Sequence, residues 1–269
     1  MARPRRVKRI LNVEPSRDTH RDWRMEHARD AGVLPRVRAA LPASVDLRED
    51  WWKIGDQGGT GSCVGWATGD SVLRWHFVKA GRMAADHKLS PRFLWMASKE
   101  VDQLTSQPTT FIESAGTTLK SALDVARKFG AVRDSILPFS GERVFYRGQS
   151  KTFYAVAATL KIGSYFNISL NTGHDLDDWR TWLATKGPIL TRLDVDDTWD
   201  DAKANAGNMD IYKPETTRGG HAVALVGYTA DRFIVRNSWG TTGWGDQGFG
   251  YASLAYAQQA FTEAYGVSL

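Results

Sequence analysis

The sequence is short of cysteine: Cys63 is the only one in 269 residues. A disulfide needs two thiols, so none can form within the chain, and small domains held by disulfides are excluded as a class. Sparse cysteine is typical of proteins that work in a reducing compartment. We therefore expect a cytoplasmic location.

Long hydrophobic runs are also missing. No uninterrupted apolar stretch approaches the roughly 20 residues that a membrane-spanning helix needs, so we expect no membrane association. Residues 1–9 have the positive charge of a signal-peptide start, but no apolar segment follows them, which argues against a secretory signal. Export without a leader, as an effector, stays open.

Negative charge is scarce in one region only. Residues 1–40 hold 11 Lys/Arg and 5 Asp/Glu, leaving 24 and 25 for residues 41–269, so the net charge of +5 comes from a basic N-terminal extension. Such an extension suits nucleic acid or the acidic face of a partner, although a solvated or helix-forming extension explains it as well. Since no RNA- or DNA-binding module follows, we do not expect nucleic acid as a partner.

The composition is that of an ordinary globular protein, with 42% hydrophobic and 24% charged residues. Its first half favours helices, and its second half favours strands, which is an α+β pattern with a cleft between two lobes. Residues 1–12 look mobile, and residues 16–31 are compatible with a helix. The helices expected in the body cover residues 64–78, 90–97, 118–129 and 175–186. The expected strands cover residues 153–162, 188–195, 221–228 and 232–236.

Cys63 follows a glycine-rich loop and stands where an apolar helix begins. At a helix N-terminus, the dipole and the free N–H groups favour a thiolate and lower the cysteine pKa. A lone cysteine is more often an inert core residue, so the prediction that Cys63 is a nucleophile depends on whether the chain supplies a base.

His221 is the best candidate for that base. It opens a strand that a hairpin connects to Asn237, whose side chain could hold the imidazole ring, with Trp239 covering the bond. Gln57, six residues before Cys63, could donate its amide N–H to a developing oxyanion together with the Cys63 backbone N–H. The four residues together predict nucleophilic catalysis, although each alone has a structural explanation.

These residues and their surroundings resemble the papain family of cysteine proteases. The resemblance rests on the segments Gln57-x5-Cys63, His221–Tyr228, Asn237-Ser238-Trp239-Gly240 and Trp244–Gly248. It extends to the entry segment 41–48, to 121–130 and to 137–139, so it covers about residues 41–255.

The resemblance implies a two-lobe α+β fold, with a helical lobe over residues 41–150 and an antiparallel β-sheet or barrel lobe over 151–269, preceded by the extension 1–40. It also implies a nucleophile at Cys63, a general base and acid at His221, an orienting amide at Asn237 and an oxyanion donor at Gln57. Gly116 and Gly220 are expected to contact the substrate backbone, and no cofactor or metal is expected. We expect a monomer acting on a peptide or protein.

The sequence departs from the family pattern at Thr60, Val64 and Gly220, which replace a cysteine, an aromatic residue and an acidic or asparagine residue. The missing disulfides and Val64 fit the prokaryotic branch. The 158 residues from Cys63 to His221 slightly exceed the usual spacing of about 130–150. Insertions near 98–114 or 196–214 would account for the excess.

From this we predict an endopeptidase with a resting Cys63 thiolate and His221 imidazolium. Acyl transfer to an amine, deamidation or isopeptide cleavage on the same scaffold stay open, as does a non-catalytic binding module. The extension 1–40 is much shorter than the family's inhibitory segments, so we expect it to pack on the body or serve as a docking or export arm and to leave the cleft open. Arg192 is a candidate for the main specificity pocket, where it would favour acidic side chains.

Overall fold

Helices dominate the chain before residue 160 and strands dominate after it, as the computed structural model shows for residues 8–36, 40–102, 109–110, 112–139, 148–169 and 175–269. The α-helices are α1 Met25–Asp30, α2 beginning at Cys63–Gly65, α3 Pro91–Val101, α4 Leu119–Lys128, α5 Ser150–Ala158, α6 Leu176–Thr185, α7 Thr198–Asp201 and α8 Leu254–Ala260. The strands are β1 Val45–Asp46, β2 Ser164–Asn167, β3 Ile189–Val195, β4 Asn208–Met209, β5 Gly219–Tyr228, β6 Arg232–Arg236, β7 Phe249–Ser253 and β8 Phe261–Ser268. Short 3₁₀ turns cover Thr19–Arg21 and Pro214–Thr216.

Helix α2 begins at Cys63, as predicted. It continues as a π-helix over Trp66–Leu73 and as an α-helix over Arg74–Lys79. Gly65 lets α2 pack closely on α3, because a Cβ there would lie 2.2 Å from the Pro91 carbonyl oxygen. The buried start of α2 is thereby fixed against a second helix.

The next two helices confirm the predicted caps. The Ser90 hydroxyl accepts a hydrogen bond from the Phe93 N–H, and Pro91 takes the first helical position of α3. Thr118 caps α4 in the same way through Ser121, and the helix ends before Gly130, whose φ of +95° is in the left-handed region. The helix predicted over 175–186 is α6.

The strand predicted over residues 153–162 is wrong, since Ser150–Ala158 is helix α5. The burial of positions 153, 156, 157 and 160 follows the spacing of one helix face. Aromatic and β-branched residues suggested a strand, but three alanines and the packing of Ala157 over Gly130 stabilise a helix.

The strands form one sheet in the order β2-β8-β3-β5-β6-β7-β4, with β1 added beside β5. All pairs are antiparallel except β4 with β7. The three predicted strands over 188–195, 221–228 and 232–236 are β3, β5 and β6. Because β5 and β6 form a hairpin, the start of β5 at His221 lies beside Asn237, which follows β6.

The sheet separates two hydrophobic clusters. Along β5, Ala222 and Ala224 face the cluster that contains Cys63 and helices α2 to α4, whereas Val223 and Leu225 face the cluster beneath α6. This is the helix-plus-sheet arrangement predicted from the sequence. The division of the body near residue 150 stays a prediction.

A buried ion network joins the two halves of the fold. Asp70 in the π-helical part of α2 binds Arg236 at 3.0 Å and Arg74 at 3.2 Å, and all three side chains are at most 3% exposed. Arg236 directly precedes Asn237. The network therefore links the helix that carries Cys63 to the strand that leads to Asn237.

The N-terminal residues 8–36, here called the strap, pack along the body. Met25, Ala28 and Leu34 are buried in the second cluster, and Arg29 binds Asp178 of α6 at 2.7 Å. The expected mobility of residues 1–12 is therefore wrong for residues 8–12, while 1–7 lie outside the described residues. The helix expected over 16–31 is reduced to α1 and a 3₁₀ turn.

In the part of the chain that the structure describes, none of the helices is both long and apolar enough to cross a membrane.

Candidate active site

Cys63 lies at the point where α2 meets β5. The backbone N–H groups of Val64 at the helix start and of Ala222 in β5 lie close enough to its sulfur to act against the rise of the Cys63 pKa. Ala222 directly follows His221 in the chain. The fold thus brings the predicted nucleophile next to the predicted base across 158 residues of sequence.

His221 is bonded to Asn237 as predicted: its Nε2 lies 2.8 Å from the Asn237 side-chain oxygen. The neutral ring donates this bond, so its proton is on Nε2 and Nδ1 is left as a free acceptor without a hydrogen-bond partner. The Asn237 oxygen also accepts from the Ser238 N–H at 2.7 Å, which fixes the amide orientation.

Two tryptophans contact His221, and a third packs against both of them. The ring of Trp239 lies 4.9 Å from the imidazole between centroids, which agrees with its expected role as a cover, and Trp199 meets the imidazole edge-to-face at 5.5 Å. Trp244 stacks on Trp199 at 4.6 Å. This apolar shell keeps water from the bond between His221 and Asn237 and limits the ring to one orientation.

Gln57 is fully buried on the loop before α2. Its side-chain oxygen accepts from the Ser238 hydroxyl at 2.8 Å, and its Nε2 donates to the Thr60 carbonyl at 3.0 Å. The Gln57 backbone N–H donates to the Ser238 carbonyl at 2.9 Å. Both the backbone and the side chain of Gln57 are therefore bonded to Ser238, the residue after Asn237. The amide N–H of Gln57 is bonded to the Thr60 carbonyl in this form.

The electrostatics of the site favour a neutral pair in this form, contrary to the predicted thiolate and imidazolium. Complete burial raises the pKa of Cys63 to about 11, although the nearby N–H groups and the charge of Arg192 act in the opposite direction. Burial likewise lowers the pKa of His221 to about 4. Loss of solvation outweighs the helix N-terminus because both side chains are 0% exposed.

The strap covers both of them, so the expectation that it leaves the cleft open is wrong. The Val13 N–H donates to the Gly220 carbonyl at 3.1 Å, and the Glu14 N–H donates to the Thr117 carbonyl at 3.2 Å. A Cβ on Gly116 would lie 1.9 Å from the Asn12 carbonyl oxygen. Both glycines that we expected to contact a substrate backbone thus contact the strap backbone.

Arg9 fixes the strap on the other side of the site. Its guanidinium binds the Asp56 carboxylate at 2.5 Å and donates to the carbonyls of Gly58 and Trp239 at 2.9 and 3.1 Å. It also lies over the Trp239 ring, 5.7 Å from the centroid. The strap therefore passes over the whole cleft between Arg9 and Ser16.

Arg192 of β3 lies under the strap, and its place in a specificity pocket stays a prediction. It is 9% exposed, and its Nε donates to the Val13 carbonyl at 3.2 Å. Beside it on β8, Glu263 accepts from the Ser16 N–H at 2.8 Å. Glu263 was not predicted as a site residue from the sequence.

The hydrogen bonds that support Trp199 were not predicted from the sequence either. Its indole N–H donates to the Tyr256 hydroxyl at 2.9 Å, and Tyr256 donates to the fully buried Asp196 carboxylate at 2.6 Å. Asp196 also accepts from the Thr198 hydroxyl and the Lys213 N–H, both at 2.8 Å. The one signal in the sequence was the position of Trp199, an apolar residue within the acidic segment 197–201.

No group of three or more His, Cys, Asp or Glu side chains within the described ranges is placed to hold a metal ion.

Comparison with known proteins gives a consistent family and fold. The sequence model described as "Papain family cysteine protease" matches residues 41–265, which include every residue of the candidate site. Among curated protein sequences, none matches this chain.

Three solved structures illustrate the likeness in fold. Xylellain, a cysteine protease from Xylella fastidiosa, has a TM-score of 0.75 and 22% identity over 100% of this chain and 99% of its own. Digestive procathepsin L 3 from the Tenebrio molitor larval midgut has a TM-score of 0.61 and 19% identity over 88% and 73%. The Carica candamarcensis cysteine protease CMS1MS2 in complex with E-64 has a TM-score of 0.58 and 18% identity over 85% and 99%.

Proposed function

This chain belongs to the papain family of cysteine proteases, and on that premise we propose that it is an endopeptidase whose catalytic residues are Cys63, His221, Asn237 and Gln57. The observation that carries the proposal is the junction of α2 and β5. There Cys63 and Ala222 share one buried cluster, and the residue before Ala222, His221, is held by Asn237 at 2.8 Å. A nucleophile and a base brought to one place, with a group that orients the base, are what covalent acyl transfer requires.

In the proposed mechanism, solvent enters the open cleft and hydrates Cys63 and His221, so burial no longer disfavours their charged forms. The Cys63 proton then passes to Nδ1 of His221, the ring nitrogen without a partner. The resulting imidazolium is stabilised by the Asn237 oxygen, and the thiolate is stabilised by the N–H groups at the start of α2.

The thiolate attacks the peptide carbonyl carbon and forms a tetrahedral oxyanion. Gln57 Nε2 and the Cys63 N–H donate to that oxygen, and for this Gln57 exchanges its bond to Thr60 for one to the substrate. His221 protonates the leaving amine as the C–N bond breaks. Water, deprotonated by His221, then attacks the thioester and releases the acid and free Cys63.

The strap supports the further proposal that the chain is made in a latent form. Arg9 to Ser16 occupy the cleft, and the site residues beneath them are fully buried. A substrate can reach Cys63 only after this part of the strap has moved.

The test uses the full chain with a loosened strap, Arg9→Ala combined with Val13→Pro, which removes the guanidinium anchor and the N–H that binds Gly220. This variant should cleave a peptide library, and product masses should show one added water per cleaved bond. Adding Cys63→Ala to it should abolish cleavage.

Products that carry an added amine, or glutamine converted to glutamate without chain cleavage, would replace the hydrolase by a transferase or a deamidase. Cleavage by the Cys63→Ala variant at an unchanged rate would reject the mechanism.

A further inference from the structure

One buried guanidinium binds the helix that begins at Cys63. Arg236, the residue directly before Asn237, is 1% exposed. Its guanidinium donates to the Ser71 hydroxyl at 2.8 Å and to the Asp70 carboxylate at 3.0 Å. Both acceptors lie in the π-helical continuation of α2. The segment that carries Asn237 is therefore bonded to the helix that carries Cys63.

The same guanidinium also holds the chain that leads to Gln57. It donates to the backbone carbonyls of Lys53 at 2.8 Å and of Trp52 at 3.4 Å, and it lies over the Trp52 ring, 4.7 Å from the centroid. The Trp52 indole N–H donates in turn to the Asp70 carbonyl at 2.8 Å. Lys53 precedes Gln57 by four residues, so the base of the loop that carries Gln57 is attached to the same group.

The π-helix sets the direction of the two acceptors on α2. Residues Trp66–Leu73 are π-helical, a conformation that is rare in proteins and frequently found at functional sites. Because its hydrogen bonds span five residues instead of four, it has more residues per turn than an α-helix. Asp70 and Ser71 therefore face in directions that a regular α-helix starting at Cys63 would not give them.

This arrangement is costly to bury. Asp70 carries one negative charge but binds two guanidinium groups, those of Arg236 and Arg74, and burial lowers the pKa of Arg236. Apolar side chains of similar volume would fill the interior without that cost. The network is therefore better explained by the geometry that it fixes than by the stability that it contributes.

We propose that Arg236 is a positioning residue of the active site. From one buried group it holds the three segments that carry the nucleophile, the oxyanion donor and Asn237. Because Asn237 orients His221, Arg236 also aligns the base with the nucleophile. It acts through these segments and not on the substrate. The inference rests on the proposed function, since the alignment serves the reaction proposed there.

The test replaces Arg236 by lysine in the full chain that carries Arg9→Ala and Val13→Pro. Arg236→Lys keeps the positive charge, but a single ammonium group cannot reproduce the two arms, one on Ser71 and the other on Asp70. A displacement of about 1 Å at the reacting groups costs about 10²-fold in rate, so kcat for a peptide substrate should fall by about that factor while KM stays within about twofold. A residue that only stabilised the fold would lower the unfolding midpoint without this change in kcat.

Arg74→Lys is the matched control. Arg74 is almost as buried as Arg236 and binds the other oxygen of the same carboxylate, but its second arm holds the carbonyls of Trp51 and Ala85. Its replacement leaves the bonds of Arg236 in place. The unfolding midpoint should therefore fall by a similar amount in the two variants, while kcat of Arg74→Lys stays close to the parent value.

A second measurement follows His221 directly and needs no turnover. The Nε2 proton that binds Asn237 is buried, so it should give a resolved imidazole ¹H resonance in the parent full chain, assigned by its loss in His221→Ala. Arg236→Lys should shift or broaden that resonance, and Arg74→Lys should leave it unchanged.

A parent kcat in Arg236→Lys, or equal falls in kcat for the two lysine variants, would overturn the positioning role. If Arg236→Lys does not unfold cooperatively, Ser71→Ala replaces it: loss of one acceptor should lower kcat with KM unchanged, and a parent kcat would overturn the role. Absence of turnover and of Cys63 modification in the chain with the loosened strap would reject the proposed function. The His221 resonance would still decide whether Arg236 orients the base.

Discussion

The backbone N–H of Val13 donates to the carbonyl oxygen of Gly220, the residue that directly precedes His221, at 3.1 Å. This contact uses an acceptor beside the proposed general base. If Gly220 contacts the substrate backbone as we propose, the strap and a substrate would compete for the same hydrogen-bonding group.

Removing the Arg9 anchor should open the site. Arg9→Ala deletes an ion pair with Asp56, two bonds to carbonyl oxygens and the stacking on Trp239. We expect modification of Cys63 by a thiol-reactive peptidyl probe to be at least about tenfold faster, since a loss of about 1.4 kcal/mol from the closed form suffices for that change. The measurement is intact mass against time.

Lys8→Ala is the matched control for that experiment, because Lys8 is a neighbouring exposed cation of the same segment. It should react at the parent rate. An equal acceleration by the two variants would attribute the effect to net charge and would contradict a specific anchor.

The single cysteine makes its titration directly observable. In the full chain, burial raises the pKa of Cys63 to about 11, so the neutral thiol should persist as the pH rises through 8 and 9, and the thiolate should form only near 11. The ¹³C shift of the Cys63 β-carbon, in protein labelled at cysteine, reports this change. In the Arg9→Ala, Val13→Pro variant the midpoint should move to lower pH. A thiolate already present at pH 7 in the parent chain would refute the neutral pair.

Gln57 should affect rate more than binding. Gln57→Ala, in the loosened-strap background, should lower kcat by about 10²–10³ with little change in KM, because in the proposed mechanism the amide binds the substrate only once the oxyanion has formed. The control Thr60→Ala removes the Thr60 hydroxyl, which donates to the Gln57 carbonyl, but keeps the Thr60 carbonyl that now holds the Gln57 amide. A proportional rise in KM instead would assign Gln57 to substrate binding.

The Tyr256 hydroxyl should stabilise the fold. Tyr256→Phe leaves a buried Asp196 oxygen and the Trp199 indole N–H without their partner. We therefore expect the free energy of unfolding, measured in urea, to fall by about 1–3 kcal/mol. The control is Tyr212→Phe, at a more exposed hydroxyl bonded to Thr217, which should lower the free energy of unfolding by under about 1 kcal/mol. Equal small effects would show that the buried chain from Asp196 to Trp199 contributes little.

The elements that could be predicted from the sequence are those set by residues close to them in the chain. Ser90 and Pro91 predicted the start of α3, and Thr118 and Gly130 predicted both ends of α4, because caps are set by residues near them in the chain. The bond between His221 and Asn237 was predictable too, since a short hairpin joins them. Helix α5 was missed because Phe153 and its neighbours have strand propensity, which the packing of Phe153 on Phe93 and of Ala157 on Gly130 overrides.

The strap over the cleft could not be predicted in the same way. Its contacts at Val13 and Glu14 are made by backbone N–H groups, which every residue except proline has, so the side chains there carry no signal. The neutral state of Cys63 follows from its burial beneath the strap, so it could not be predicted from the sequence either. Glu263 lies 200 residues from Cys63 in the sequence, and only the pairing of β3 with β8 brings it to Arg192.

The burial of Met25, Ala28 and Leu34 in the second hydrophobic cluster has a consequence for how the protein is controlled. Arg9 to Ser16 can leave the cleft while the chain after them stays docked, so the blocking segment is a tethered ligand with a high local concentration. Blocking and release are then independent of protein concentration, and a released segment can rebind. Only a break in the chain between Ser16 and Met25 would turn this reversible equilibrium into a permanent change.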